Sequence, residues 1–461
     1  MIAPLSLSHI AKSCPELNAQ LLGGDCAFTR LTTDSRQLQA GEVFLALRGD
    51  RFDGHDFLAS AAHQGAIALV TEQSDRDLDL PQLVVNDSLK ALGQIAALNR
   101  AAFKGPLVAL TGSSGKTTVK TMIAQILKEC GETLATRGNL NNHIGVPLTL
   151  LQLEAKHEYA VIEMGASGPG EIAYLCSLAK PQVVLVNNVM TAHLKGFGSL
   201  EGVARAKGEI YECLPENGTA VVNLDEPFAA QWLARLTNKN VLAVSLDNPS
   251  RAQVSARNAQ FFADRVTFDL QILGETWPVT LQVPGEHSLR NALAAAACAW
   301  AAGARGEQIV RGLSSFTAVA GRMNRQRGLG GALIIDDSYN ANPGSVRAAI
   351  DVLVAQGPGA ALVLGDMGEL GEDAEVLHAE LGRYARQKGL PRLYTLGQLT
   401  RHTSEAFGES ARHFTNAEEL IEQLKNEAAA DRCFLIKGSR SARMELVVRA
   451  LCDANTNGDT H

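Results

Sequence analysis

Short apolar runs closed by polar residues alternate with amphipathic stretches along most of the chain. In the first part, the apolar runs predict short strands at residues 43–47, 67–71 and 83–85. The next segment, residues 88–103, predicts a helix that ends at the breaker Lys104-Gly105-Pro106. We therefore expect a small N-terminal α/β domain over residues 1–84.

The pattern then changes to strand, glycine-rich turn and helix. Residues 107–111 are apolar, and apolar positions recur at helical spacing from Val119 to Leu127. Further strand-like runs end in polar residues at 159–162, 183–186 and 220–224. Alternation with a period of two predicts an antiparallel hairpin at residues 266–272 and 279–283. Residues 85–316 are thus expected to form a central doubly wound, mostly parallel sheet with an antiparallel addition.

A third α/β pattern follows. Asn342-Pro343 supplies the cap and the first residue of a helix. Strand-like runs alternate with helical segments, at residues 333–335, 361–364, 393–396 and 433–436. This alternation predicts a smaller, C-terminal Rossmann-like α/β domain over residues 317–461.

Composition excludes several classes of protein. The 461 residues fit roughly three domains at about 150 residues each. The net charge is −7 and there is no long basic run, which argues against a nucleic-acid partner. Eight scattered cysteines without metal-ligand spacing are typical of a reducing compartment. The longest nearly apolar run, residues 292–304, is too short to span a bilayer, and no signal peptide is visible, so we expect a cytoplasmic protein.

The strongest chemical signal is Thr111-Gly112-Ser113-Ser114-Gly115-Lys116-Thr117-Thr118, between a predicted strand and a predicted helix. Backbone amides of such a loop surround phosphate oxygens, the lysine reaches the terminal phosphates, and the hydroxyl of Thr117 can ligate magnesium. Leu110 stands where the commoner motif has a glycine, so this is a shortened form. The alternative is a glycine-rich helix cap with an exposed lysine.

Three further residues have unusual positions. Glu163 and His193 follow predicted strands and would lie at the carboxyl edge of the sheet, where magnesium could bind. Alternatively, Glu163 is a solvated strand end and His193 a loop residue. Lys207 shares a helix face with apolar residues, so it needs a partner or a modification unless its side chain extends to the surface.

The motifs together resemble those of the ATP-dependent Mur ligases of peptidoglycan synthesis. The resemblance covers nearly the whole chain and rests on residues 32–36, 52–55, 111–118, 138–142, 192–194, 206–210, 285–287 with Asn291, 321–322, 336–343, 365–371 and 437–440. One departure is Met190, where a glycine is expected.

The resemblance implies a role for each group of residues. The catalytic residues would be Lys116, Lys207 and His193. ATP would be bound by Gly112, Ser113, Ser114, Gly115, Lys116, Thr117, Thr118, Asn291, Arg322 and Asp337. Mg²⁺ would be held by Thr117, Glu163, His193 and, if it is carbamylated, Lys207. The uridine-linked substrate would be bound by Thr33, Ser35, Arg36, Asp53, His55, Asn139 and Asn142.

The resemblance is greatest to the family member that adds a dipeptide, because the Asp-Asn-Pro-Arg motif expected of the member adding the third peptide residue is absent. It implies ATP-dependent amide formation through an acyl phosphate, with UDP-N-acetylmuramoyl-tripeptide and D-alanyl-D-alanine as substrates, and it favours a monomer. The alternatives are another Mur-type or folylpolyglutamate-synthase-like ligase and, from a different class, a phosphate-loop ATPase with a regulatory or mechanical role.

Overall fold

Three main β-sheets follow one another along the chain in a computed structural model that describes residues 1–49, 52–191 and 194–452. They contain five, nine and six strands. The mostly parallel central sheet with an antiparallel addition matches the sequence expectation. Among the described residues, no helix combines the length and apolarity needed to cross a membrane.

The first sheet is small and mostly parallel. Its strand order is β2-β7-β6-β5-β4, and only β2 runs antiparallel to its neighbour. The elements of this part are β1 (Leu5–Ser6), α1 (Leu7–Ser13), β2 (Gln20–Leu22), β3 (Ala27–Phe28), β4 (Leu31–Thr32), β5 (Val43–Leu45), α2 (Leu58–His63), β6 (Ala68–Thr71), β7 (Gln82–Val84) and α3 (Ser88–Ala102), with 3₁₀ turns at Pro15–Leu17 and Gly54–Phe57.

Helix α3 connects the first sheet to the central one. It packs on helices α5 and α6 of the central unit and also contacts β6. Side chains of β5 and β6, of α3 and of central strand β8 belong to one continuous hydrophobic cluster. Burial of this apolar surface stabilises the two units against each other.

The central sheet has the order β16-β15-β14-β13-β12-β11-β8-β10-β9. Strands β8 to β13 run parallel to their neighbours in the sheet. Strand β14 runs parallel to β13 but antiparallel to β15, and β15 and β16 continue the antiparallel addition. The elements are β8 (Leu107–Thr111), α4 (Lys116–Lys128), β9 (Thr133–Ala135), α5 (Gly145–Leu150), β10 (Tyr159–Glu163), α6 (Glu171–Ala179), β11 (Val183–Val186), α7 (Leu194–Phe197), α8 (Leu200–Glu212), β12 (Thr219–Asn223), α9 (Ala229–Leu233), β13 (Asn240–Val244), β14 (Val254–Phe261), β15 (Val266–Ile272), β16 (Glu275–Leu281), α10 (Glu286–Ala301) and α11 (Gly306–Ser314), with a 3₁₀ turn at Pro249–Arg251.

The third sheet has the order β17-β18-β22-β19-β20-β21, with only β17 antiparallel. Its two faces are covered by separate hydrophobic clusters. The elements are β17 (Asn324–Arg327), β18 (Leu333–Asp337), α12 (Pro343–Val354), β19 (Ala360–Gly365), α13 (Ala374–Gln387), β20 (Arg392–Leu396), α14 (Thr400–Phe407), β21 (Ala411–Phe414), α15 (Ala417–Glu427), β22 (Cys433–Lys437) and α16 (Glu445–Leu451), with 3₁₀ turns at Leu329–Gly331, Gly371–Asp373 and Arg440–Ala442.

The connections of the central sheet determine where a ligand can bind. The chain leaves β8 to form β9 and β10 on one side and returns to form β11 on the other side. A crevice opens at the carboxyl ends of the strands where the winding of such a sheet reverses direction. The loop of residues 111–118, the end of β10 and the end of β11 all meet at this edge.

Candidate active site

The loop of residues 111–118, called the phosphate loop below, passes directly from β8 into α4. Gly115 precedes the first helical residue and has a φ of 73°. A Cβ atom there would lie 2.9 Å from Asn187 Nδ2 and 2.9 Å from Asn291 Oδ1. The left-handed backbone conformation favours glycine here and allows α4 to begin at Lys116, and the two asparagine side chains pack closely against the space that a Cβ atom would take.

The start of α4 presents a set of free hydrogen-bond donors. Within the described part of the chain, the backbone amides of Gly115, Lys116, Thr117 and Thr118 have no acceptor. The first amides of a helix carry partial positive charge and bind anions well. This end of α4 is therefore suited to phosphate oxygens, which favours the phosphate-loop interpretation over a simple helix cap.

Lys116 is half-buried beside these amides, and its Nζ donates a hydrogen bond to Gly112 O at 2.8 Å. Desolvation lowers the pKa of Lys116, the nearby Glu163 carboxylate opposes that effect, and Arg322 adds to it. An incoming phosphate would replace the carbonyl contact with a full negative charge and favour the ammonium form.

Glu163 ends strand β10 and is only 2% exposed, so it is not a solvated strand end. Its Oε2 accepts a hydrogen bond from Thr117 Oγ1 at 2.9 Å, and its Oε1 accepts one from Asn141 Nδ2 at 2.8 Å. The carboxylate and the hydroxyl are oxygen donors of the kind that magnesium prefers. No three His, Cys, Asp or Glu side chains converge in residues 1–49, 52–191 and 194–452.

Lys207 is buried in α8 and lines the same cleft, with 2% of the residue exposed. Its Nζ lies 5.7 Å from the centroid of the Phe197 ring, and it donates no hydrogen bond to any described residue. Desolvation, with a contribution from Lys116, lowers the pKa of Lys207 to about 7. The side chain therefore does not extend to the surface. His193 lies outside the described residues, so its predicted role stays a prediction.

The third unit supplies the opposite wall of the cleft. Lys437 Nζ, on a side chain 3% exposed, donates to Asp337 Oδ2 at 2.6 Å across strands β22 and β18. The Arg322 guanidinium lies 4.3 Å from the centroid of the Tyr339 ring. Together the two walls enclose a cavity of about 460 Å³. This volume falls within the range of small-molecule sites.

The cleft contains most of the predicted ATP and metal residues. Those that line it are Ser113, Ser114, Gly115, Lys116, Thr117, Thr118, Glu163, Lys207, Asn291, Arg322 and Asp337. Asn139 and Asn142, which were expected to bind the uridine-linked substrate, also line it. Gly112 lies behind the cleft, where its carbonyl accepts the Lys116 hydrogen bond.

The other predicted substrate residues, Thr33, Ser35, Arg36, Asp53 and His55, do not line this cleft. The Arg36 side chain is 86% exposed and pairs with Asp34 at 2.8 Å. Asp53 accepts hydrogen bonds from the His55 amide and from Arg48, and His55 Nε2 accepts one from the Glu72 amide at 3.0 Å. Asp53 and His55 thus brace a loop, whereas Arg36 is open to solvent.

Some residues at the site were not found from the sequence. Asn187 and Asn188 contact the phosphate loop directly. Lys120, one turn after Lys116, is 6% exposed, and its Nζ donates to Thr136 O at 2.7 Å. The polar residues at the end of the β11 run were a usable signal for the asparagines. For Lys120 the only signal was a charge on the buried face of an amphipathic helix.

A doubly wound sheet with a shortened phosphate loop, a buried carboxylate beside it and a third unit across the cleft defines a nucleotide-binding protein of the phosphate-loop class. Family models agree on the particular family: Mur ligase family, catalytic domain, matches residues 27–100; Mur ligase middle domain matches 110–299; and Mur ligase, glutamate ligase domain, matches 321–440. The chain belongs to the Mur ligase family.

Individual relatives are similar over nearly their whole length. The UDP-N-acetylmuramoyl-tripeptide–D-alanyl-D-alanine ligase of Escherichia coli (strain K12) is 46% identical over 95% of this chain and 97% of its own. The crystal structure of MurF from Acinetobacter baumannii is 35% identical, has a TM-score of 0.90, and covers 97% of this chain and 98% of its own. MurF ligase from Thermotoga maritima in complex with ADP is 29% identical, with a TM-score of 0.82 and coverages of 91% and 96%.

Proposed function

We propose that this protein uses ATP to join D-alanyl-D-alanine to UDP-N-acetylmuramoyl-tripeptide, a step of peptidoglycan synthesis. The observation that carries the proposal is the convergence of the phosphate loop, Glu163, Lys207 and the third unit on one cleft. The names and the full-length similarity of the relatives support the choice of substrates. We also propose a cytoplasmic location, because ATP is available there.

The reaction needs activation because a carboxylate is a poor electrophile. A carboxylate oxygen of the tripeptide would attack the γ-phosphorus of ATP, the bond to the bridging oxygen would break, and ADP would leave. The amine of D-alanyl-D-alanine would then attack the acyl carbon, lose a proton and release phosphate. The first step brings two anions together, so catalysis depends on positive charge and alignment from Lys116 and the free amides of α4.

Thr117 and Glu163 are the described side chains best placed to hold magnesium, because their oxygens are adjacent. A bound Mg²⁺ would neutralise phosphate charge and fix the phosphate geometry. Asn141 holds the second oxygen of Glu163 and so orients the carboxylate. Side chains of the third unit line the cleft, and with the substrates bound they would shield an acyl phosphate from water.

Lys207 fits a carbamylated metal ligand better than a free ammonium. With a pKa lowered to about 7, a large fraction of its side chain is a neutral amine at neutral pH. A neutral amine can form an N–C bond with carbon dioxide and release one proton. The resulting carbamate is an anion, and it would relieve the unfavourable burial of a cation beside Lys116.

We propose a division of labour among residues 1–84, 85–316 and 317–461, supported by the separate sheets in each segment. The first would hold the uridine nucleotide through exposed groups such as Arg36. The central segment would bind ATP. The third would receive the dipeptide and contribute Arg322 and Asp337 to the nucleotide.

Phosphate release measured with purified protein tests the function. We expect rapid release only when ATP, the muramoyl tripeptide and D-alanyl-D-alanine are all present, with one amide formed per phosphate. Omission of the dipeptide is the control. Equal phosphate release without the dipeptide would indicate a regulatory or mechanical ATPase, and use of glutamate in place of the dipeptide would indicate a folylpolyglutamate-synthase-like ligase.

A further inference from the structure

The side chain of Asn188 forms two hydrogen bonds with the backbone of one residue of the phosphate loop, Ser114. Asn188 Oδ1 accepts a hydrogen bond from the Ser114 amide at 2.8 Å, and Asn188 Nδ2 donates one to Ser114 O at 3.0 Å. An amide side chain accepts through its oxygen and donates through its nitrogen, and it carries no charge at any ordinary pH. The orientation of the Asn188 amide is therefore fixed by its partners.

The residues beside Asn188 extend the same set of contacts. The backbone of Asn188 accepts a hydrogen bond from the Ser113 amide at 3.0 Å, and Ser113 Oγ accepts one from the Met190 amide at 2.9 Å. Asn187 Nδ2 donates to Ser114 O at 3.0 Å and to Asn291 Oδ1 at 3.1 Å. The loop is thus attached to the end of β11 and, through Asn187, to helix α10.

These contacts divide the loop into two parts. The amides of Ser113 and Ser114 are already bonded to Asn188, so they are not available to a ligand. The next four amides, from Gly115 to Thr118, have no acceptor in the described structure. A shortened loop has fewer residues with which to surround a phosphate, so its free amides must be held in the correct direction by contacts from outside the loop.

We propose that Asn188 is a positioning residue that orders the phosphate loop before a nucleotide binds. This role rests on the proposed function only in requiring that the loop bind a nucleoside diphosphate. A loop that is ordered before binding loses less conformational freedom when the ligand arrives. Both polar atoms of the Asn188 side chain bond to the Ser114 backbone, so Asn188 acts through that residue.

Calorimetric titration with magnesium and ADP tests the role of Asn188. Asn188→Ala removes both side-chain contacts with Ser114, and we expect about ten-fold weaker ADP binding, as for the loss of one or two neutral hydrogen bonds. Asn240→Ala is the matched control, because Asn240 begins strand β13 and its Nδ2 donates to Asn217 O at 3.5 Å, and neither of these residues lines the cleft. We expect the control to bind ADP within about two-fold of the wild type.

Asn188→Asp provides a readout that a purely structural role would not give, and it keeps the shape of the side chain if the alanine variant fails to fold. At pH 8 the carboxylate can still accept from the Ser114 amide, but it repels Ser114 O. A protonated carboxyl group can donate to that carbonyl, as the asparagine does. The Ser114 carbonyl disfavours the charged form and so raises the pKa of this carboxyl above its ordinary value of about 4. We therefore expect the deficit in ADP affinity, relative to the wild type at the same pH, to shrink as the pH falls from 8 to about 5.

The possible outcomes separate this proposal from the proposed function. ADP affinity of Asn188→Ala equal to that of Asn240→Ala, or a deficit of Asn188→Asp that does not change with pH, would overturn the positioning role. An equal rise in the KM values for ATP and for the tripeptide would do the same, because it would indicate general disruption. If the wild type releases phosphate without the dipeptide while the ADP results hold, only the ligase function fails.

Discussion

Lys207 is a buried lysine whose pKa is set by its surroundings. The sequence indicated a lysine on an apolar helix face, and the structure places it in the interior near a second lysine, Lys116. The place of Lys207 on the apolar face of its helix could be predicted from periodicity, because burial follows the helical repeat. The lowered pKa could not, because it depends on desolvation and on a charge from a different helix.

The pH dependence of stability should reveal the state of Lys207. Its pKa in the folded protein is about 7 and in the unfolded chain about 10.5, so between these values the unfolded state binds more protons. The cost of burying the ammonium is fully present below pH 7 and disappears as the pH rises. In buffer free of carbon dioxide, we expect the wild type to gain stability relative to Lys207→Met between pH 7 and about 10.

The measurement is urea unfolding of both proteins across this pH range. Lys90→Met is the control, because the Lys90 side chain is 65% exposed and its replacement should give no such trend. A constant difference between wild type and Lys207→Met would show that the lysine is not held as a destabilised cation.

Lys116 should be essential for turnover but not for folding. Its ammonium is preorganised beside the free amides of α4, and loss of one such group typically reduces turnover by about 10²- to 10³-fold. We expect this loss for Lys116→Ala in the phosphate-release assay, with an unchanged circular dichroism spectrum. Retention of more than half of the wild-type rate would exclude the assignment.

At the scale of elements, the contacts that form the cleft lie mainly at the ends of strands and helices. Strands with clear apolar runs, such as β8 and β11, were predicted closely. Strands β13 and β14 were not predicted. Much of β14 is exposed and polar, so its own hydrophobic pattern does not mark it as a strand, and it is held by its pairing with β15. The Lys437 and Asp337 pair was likewise hidden, because it joins residues of two strands far apart in the chain.

Helix α6 provides a test at this scale. Its last carbonyl, Ala179 O, and the next, Lys180 O, accept hydrogen bonds from the buried guanidinium of Arg100 at 2.6 and 2.9 Å. A cation at a helix C-terminus also interacts favourably with the helix dipole. Arg100→Met would leave buried carbonyls without donors, and we expect a loss of about 3 kcal/mol or more in the free energy of unfolding.

Thermal unfolding can measure this effect as a decrease of several degrees in the transition temperature. Arg311→Met is the matched control, because the Arg311 side chain is 57% exposed and pairs with Glu129 at the surface. We expect the control to change stability by less than about 1 kcal/mol. Similar effects of the two substitutions would show that α6 does not depend on Arg100.

At the scale of the whole molecule, the arrangement of the three sheets separates the predicted sites. The phosphate-loop cleft lies between the central and third units, whereas Arg36 and its neighbours lie on the first unit. Sequence motifs predicted residues for both sites. They could not show that Asn139 and Asn142 line the cleft, because contacts of Asn141 with Glu163 and Gly165, distant in sequence, bring their loop there.

Substitutions in the first unit should therefore affect one substrate selectively. We expect Ser35→Ala and Arg36→Ala to raise the KM for the muramoyl tripeptide and to leave the KM for ATP within about two-fold. A contact that binds the substrate and the transition state equally well affects KM and leaves kcat unchanged. Steady-state kinetics with each substrate varied in turn will test this. A change confined to ATP or to D-alanyl-D-alanine would assign the first unit to another ligand.

The shared hydrophobic cluster of the first and central units has a consequence for how the protein melts. Those two units should unfold together, whereas the third, with its own clusters, should form a separate cooperative step. A nucleotide that contacts both walls of the cleft binds only when the central and third units are both folded, so it couples their unfolding. Scanning calorimetry should accordingly show two heat-absorption peaks for the free protein and a single, later peak at saturating ADP.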